Sequence, residues 1–197
     1  MKAVKTYLAL GDSYTIGEAV SAAESFPYQL KEALLKQGHA VESLKIIAQT
    51  GWTTDELQAV LAAETLASSY DLVTLLIGVN NQYRGYSLAS YRVEFEKLLR
   101  QAIAFAGKDV DRVRVLSIPD WGVTPFAQKE GRVAEQVAKE IAIFNAAAQE
   151  ISENFGVVFI QITSHSRLAA TDLSLLASDG LHPSGKMYAE WVQQLMA

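Results

Sequence analysis

Ser13, Asp179 and His182 are side chains of the three types that together make an oxygen nucleophile. A serine hydroxyl is a weak nucleophile until a base accepts its proton, and an imidazole does this best when a third group fixes its tautomer and stabilises the imidazolium. Asp179 and His182 stand three residues apart, so a single turn can deliver acid and base together. His182 precedes Pro183, which biases it to extended backbone and so to a loop at a helix entrance. Chemistry at an acyl carbon also needs donors aimed at the developing oxyanion. Gly51, with no Cβ to block approach to its N–H, the Asn80 carboxamide and the Ser13 amide are the candidates.

These residues need elements to bring them together. Five short apolar runs read as strands: Thr6 to Leu10, Leu44 to Ala48, Leu72 to Ile77, Val113 to Ile118 and Val157 to Ile162. Between them, helical spacing runs through Phe26, Leu30 and Leu34 up to Gly38, and Thr53 with Glu56 has the spacing of a capping box ahead of Leu57 and Leu61. The same period runs from Tyr91 to Phe105 and from Val133 to Phe155, and a last helix follows Pro183. The strands are continuously apolar, as strands covered on both faces are, so the order predicts one α/β domain over residues 1–197 with a parallel sheet wrapped by helices. Open parallel sheets bind ligands at the carboxyl ends of their strands. Ser13, Gly51, Asn80 and Asp120 each follow a strand, and Asp179 and His182 come after a loop of residues 163–178, so all converge on one rim.

Composition narrows the function classes. The chain has 197 residues, 50% apolar and 20% charged, an ordinary globular balance. It has no cysteine, which excludes a disulfide scaffold, a thiolate metal site and a cysteine nucleophile. Seventeen basic against 22 acidic residues give a net charge of -5, with no basic run, so no nucleic-acid partner is expected. Lys2 and Lys5 precede only Tyr7 to Leu10 before Gly11-Asp12, too short an apolar run for a signal peptide, and no stretch has the length of an integral membrane segment. A cytoplasmic location is the expectation.

With Gly11-Asp12-Ser13, Gly51, Gly78-Val79-Asn80 and Asp179-Gly180-Leu181-His182 in that order, the chain resembles the SGNH (GDSL) hydrolases, a family of esterases, lipases and acylhydrolases. The resemblance implies a three-layer α/β/α, flavodoxin-like fold with a five-stranded parallel sheet flanked by helices. It also implies metal-independent ester hydrolysis through an acyl-enzyme on Ser13, with His182 as base, Asp179 as its orienter and an oxyanion hole of Ser13, Gly51 and Asn80. No cofactor and no metal are implied, and the partner is a small-molecule ester: an acyl ester, an acetylated sugar or a lysophospholipid. Two positions depart from the family pattern. Asn81 stands where an aspartate is usual, and Gln49 lies where an asparagine often precedes the second-block glycine. The chain is unlike an α/β-hydrolase, since it lacks the G-x-S-x-G elbow.

Each residue also has a plain structural reading. Alone, Ser13 is a turn or capping serine, Gly51 a turn glycine, Asn80 a strand-end cap, Asp179 the N-cap of the last helix and Asp12 a loop-capping aspartate; their coincidence at one rim favours the catalytic reading. Trp52, Tyr83, Tyr86, Trp121 and Phe126 lie in loops after strands and are candidates for a substrate pocket, or for ordinary loop packing. His39 reads as solvent-exposed at a helix end, and His165 as a weaker candidate for the rim. Two other functions compete. Ser13-x-Thr15-x-Gly17 loosely matches a phosphate cradle, as in a flavodoxin-like FMN carrier with Trp52 or Trp121 on the flavin, but this leaves Asp179 and His182 without a role. An inactive relative that only binds an acylated ligand is disfavoured by the intact Ser, Asp and His.

Overall fold

In a computed structural model, which describes residues 4–197, the five strands form one parallel sheet in the order β2-β1-β3-β4-β5. The strands are β1 (Thr6–Asp12), β2 (Ser43–Gln49), β3 (Leu72–Leu76), β4 (Val113–Leu116) and β5 (Val158–Ile160). The central strands β1 and β3 are buried almost throughout, as their unbroken apolar runs predict. The edge strands differ from that expectation. β2 is exposed or half-buried except at Ile47 and β5 is at best half-buried, because an edge strand is flanked on one side only. β4 and β5 are also shorter than their apolar runs, whose last residues, Ile118 and Ile162, turn into the rim loops while staying buried.

The long helices are α2 (Phe26–Lys36), α3 (Thr54–Ala63), α5 (Leu88–Phe105), α7 (Ala134–Asn154) and α9 (Gly185–Met196). α2 packs on α9, and α3, α5 and α7 pack in series. α3 starts with the capping box read from the sequence, Glu56 accepting from the Thr53 N–H at 2.9 Å. On α5 and α7 the helical stripe of Tyr91, Phe95, Leu98, Val137, Ile141, Phe144 and Ile151 is core. Val133 is not part of that stripe; it precedes α7 and is 66% exposed.

Four short helices, α1 (Ser13–Ile16), α4 (Val79–Tyr83), α6 (Pro125–Lys129) and α8 (Thr163–Ser166), sit at the carboxyl ends of the strands. Residues 163–178, expected to be loop, carry α8 and two 3₁₀ turns, Arg167–Ala170 and Leu173–Leu175. The chain runs outward from β1 to β2 and then returns past β1 to β3, so the crevice between β1 and β3 is the switch point of the sheet. α1 follows one of these strands and α4 the other.

Candidate active site

Ser13 is the first residue of α1, so its N–H is among the amides a helix leaves without an intrahelical acceptor. Asp12 caps this turn, its Oδ1 accepting from the Tyr14 N–H at 3.0 Å, which is the loop-capping role expected of it. Gly11 lets α1 close onto the strand: a Cβ there would lie 2.1 Å from Thr15 Oγ1 and 2.4 Å from the Leu76 carbonyl. Ser13 is 4% exposed, and its Oγ makes no hydrogen bond within the protein among the described residues.

Asp179 and His182 arrive on a tight loop. Leu176 and Pro183 form an antiparallel bridge, and the Ala177 N–H donates to the His182 carbonyl at 2.7 Å. Asp179 Oδ1 accepts from the Leu181 and His182 amides at 2.9 and 3.0 Å, and Oδ2 lies 2.6 Å from His182 Nδ1. The three-residue spacing thus lets one carboxylate close its own turn and hold the ring. Asp179 does not cap the last helix; Ser184 stands there. Partial burial pulls the Asp179 pKa upward, but the bonds from the His182 ring and the two amides outweigh it, and the carboxyl sits below its ordinary range. An ionised acceptor at Oδ2 makes Nδ1 the protonated nitrogen, which leaves Nε2 as the lone-pair nitrogen, without a partner among the described residues.

Gly51 closes a turn in which the Trp52 N–H donates to the Gln49 carbonyl at 3.3 Å, and its φ of 85° is in the left-handed region that favours glycine. Its own N–H donates to no protein acceptor among the described residues. Asn80 gives one amide hydrogen to the Trp52 carbonyl at 3.0 Å, which leaves the second unpaired among the described residues. Asn81, the departure from the family pattern, is fully buried and bonds twice to Thr54. α4 therefore grips the 50–54 loop with successive residues.

Ser13, Gly51, Asn80 and His182 line one cleft of about 160 Å³, together with Tyr14, Thr50, Val79, Tyr83, Trp121, Phe126 and Leu181. Of the five aromatic pocket candidates, Tyr83, Trp121 and Phe126 reach the cleft, with Tyr83 and Trp121 edge to face at 5.4 Å between centroids. Trp52 and Tyr86 do not; Trp52 packs against the core instead. His165 lies off the cleft lining. His39 is half-buried where exposure was expected, its Nδ1 accepting from the Val4 N–H at 3.4 Å.

Several partners were not read from the sequence. Trp121 Nε1 donates to Gln82 Oε1 at 2.8 Å, and Gln82 Nε2 donates to Glu140 at 2.6 Å, so the deepest aromatic wall is bolted to α4 and α7. The Trp121 loop is anchored by Asp120, whose N–H donates to Ser166 Oγ at 2.8 Å and whose Oδ2 accepts from Arg167 at 2.9 Å. The Tyr14 ring lies 5.0 Å from the His182 ring, and the Tyr188 hydroxyl donates to the Tyr14 carbonyl at 2.9 Å, tying α9 to α1. Among the described residues no three His, Cys, Asp or Glu side chains are grouped as a metal ion would need, and no helix is long and apolar enough to cross a membrane.

Comparison with known proteins agrees with this fold. Solved structures with the same fold include the lipase Lip_vut3 from a goat rumen metagenome, at a TM-score of 0.78 and 21% identity over 98% of this chain and 96% of that one. The lipase/acylhydrolase from Enterococcus faecalis gives 0.76 and 20%, over 97% and 93%. The acetylxylan esterase Axe2 from Geobacillus stearothermophilus gives 0.71 and 16%, over 98% and 93%. No curated protein matches the sequence significantly. The family described as GDSL-like lipase/acylhydrolase matches residues 9–190, nearly the whole chain, and the protein belongs to that family of SGNH esterases and acylhydrolases.

Proposed function

We propose that this hydrolase cleaves a small-molecule carboxylic ester through an acyl-enzyme on Ser13. The observation that carries the reading is the 2.6 Å contact of Asp179 Oδ2 with His182 Nδ1, on the same cleft as an unpartnered serine hydroxyl. His182 Nε2 takes the Ser13 proton as Oγ attacks the ester carbonyl, and Asp179 stabilises the imidazolium that forms. The oxyanion is met by the Gly51 N–H, the free Asn80 amide hydrogen and the Ser13 N–H, of which each typically contributes about 100- to 1000-fold in turnover. Collapse of the tetrahedral intermediate breaks the bond to the alcohol, which leaves with the proton from His182. Water, deprotonated by the same imidazole, then attacks the acyl carbon, and the acid departs as Ser13 regains its proton.

No metal is required by this scheme, so turnover in the presence of EDTA should equal that without it. The cleft wall of Val79, Tyr83, Trp121, Phe126 and Leu181 suits an apolar acyl group, since the Trp121 N–H is already taken by Gln82. The test is hydrolysis of p-nitrophenyl esters from acetyl to lauroyl by the wild type and by Ser13→Ala. Activity confined to the wild type supports the reading; equal activity in both sinks it.

A further inference from the structure

Arg84 follows α4 and lies outside the cleft lining, yet it reaches two groups of the loop that carries Gly51. Its Nη2 donates to the Gly51 carbonyl at 2.6 Å, and its Nη1 donates to Glu56 Oε1 at 3.2 Å. Glu56 in turn accepts from the Thr53 N–H at 2.9 Å, while the Thr53 hydroxyl donates to Asp55 at 2.5 Å. One guanidinium and one carboxylate therefore tie Gly51, Thr53 and the first turn of α3 together.

The need for such a grip follows from the backbone. Glycine visits more of conformational space than any other residue, so a turn built on Gly51 at φ 85° does not by itself hold the direction of its N–H. The Gly51 carbonyl and N–H belong to adjacent peptide planes hinged at one Cα. The Arg84 bond fixes the following plane, and the Thr50 hydroxyl, which donates to Glu18, holds the preceding residue. The Arg84 and Glu56 side chains are 40% and 41% exposed, so their ion pair adds little to global stability. What the pair does is local, and it converges on the one carbonyl next to the free amide.

We propose that Arg84 is a positioning residue for ester hydrolysis, holding the Gly51 peptide so that its N–H meets the oxyanion. The inference rests on the reading of Gly51 as an oxyanion donor. A donor aimed at the transition state rather than the bound ester acts on kcat and leaves KM alone. Misaiming it should cost less than deleting it outright, about 10- to 100-fold in kcat.

The test compares wild type, Arg84→Met, Arg84→Lys and Ser13→Ala on one p-nitrophenyl ester, with melting temperatures for all four. The Met variant should lose kcat by about 10- to 100-fold with KM within threefold, while melting within about 4 °C of wild type. The Lys variant, which keeps one donor to the carbonyl, should recover most of the loss. A Met variant with kcat within threefold of wild type, a loss that appears in KM, or a Lys variant no better than Met would each overturn the proposal. Turnover surviving in Ser13→Ala would instead strike the parent reading, whereas an inactive Ser13→Ala beside a fully active Met variant would strike only the role of Arg84.

Discussion

Asn81 and Thr54 are joined by two hydrogen bonds of opposite sense: the Thr54 N–H donates to Asn81 Oδ1 at 3.1 Å, and Asn81 Nδ2 donates to Thr54 Oγ1 at 2.7 Å. The Thr54 hydroxyl passes its own hydrogen on to Glu94. An amide fits this chain because it accepts on one side and donates on the other. The departure from the family's usual aspartate is thus matched by a carboxylate placed elsewhere, on α5.

Asn81→Asp should therefore destabilise the protein even though it restores the common residue. With two acceptors facing Thr54 Oγ1, its single hydrogen must abandon either Glu94 or the new carboxylate, at a cost of about 1–3 kcal/mol in urea denaturation. Adding Glu94→Gln supplies a donor and should recover part of the loss. An Asn81→Asp protein as stable as wild type would show that the chain of bonds has no such polarity.

Asp179→Asn removes the ionised acceptor that sets the His182 tautomer while nearly preserving shape. We expect kcat to fall by about 10³- to 10⁴-fold, with Nε2 protonated and unable to accept the Ser13 proton. A loss below tenfold would mean that the ring is oriented by other contacts, such as the Tyr14 ring 5.0 Å away.

Phe126 is half-buried at the cleft, where it meets Tyr83 at 6.4 Å and Trp121 at 6.2 Å between centroids. Phe126→Ala should widen the acyl site and raise kcat/KM for octanoyl relative to acetyl esters by about tenfold or more, the discrimination available to a few apolar contacts. Chain-length profiles of the two proteins decide this, and superimposable profiles would remove Phe126 from the specificity wall.

Asp12 gives a pH dependence of stability. It is fully buried, Oδ2 has no partner among the described residues, and burial raises its pKa from 3.8 to about 7, partly offset by the bond from the Tyr14 N–H. The folded protein thus binds this proton more tightly than the unfolded chain. Stability from this group is complete below about pH 4 and declines as pH rises toward 7, by about 4 kcal/mol in all. Asp12→Asn keeps the acceptor for Tyr14 and should lose that slope, gaining on wild type as urea midpoints are followed from pH 4 to 8. Parallel curves for the two proteins would contradict the shift.

The layers, the strand order along the chain and the rim residues were legible because each rests on local pattern: apolar runs for β1 and β3, helical period for α5 and α7, and a short motif after each strand. What was not legible depends on pairs distant in sequence. Gln82 and Glu140 stand 58 residues apart, and nothing in their surroundings signals the bolt on Trp121. The edge strands β2 and β5 read as fully covered because apolarity reports burial on average and not position in the sheet. Loop position alone groups Trp52 and Tyr86 with the pocket, and it says nothing of which way a ring turns. Arg84 did leave a trace: Asn80, Asn81 and Arg84 fall within one turn, and all three reach the 51–54 loop.

Ester hydrolysis by this route requires that Ser13 Oγ become covalently acylated. The most direct measurement is labelling with an alkyl fluorophosphonate, which traps an activated serine as a stable adduct, followed by peptide mass spectrometry. One label per chain is expected, on Ser13, with matching loss of esterase activity and no labelling of Ser13→Ala. An active wild type that takes no label, or takes it on another residue, would contradict it.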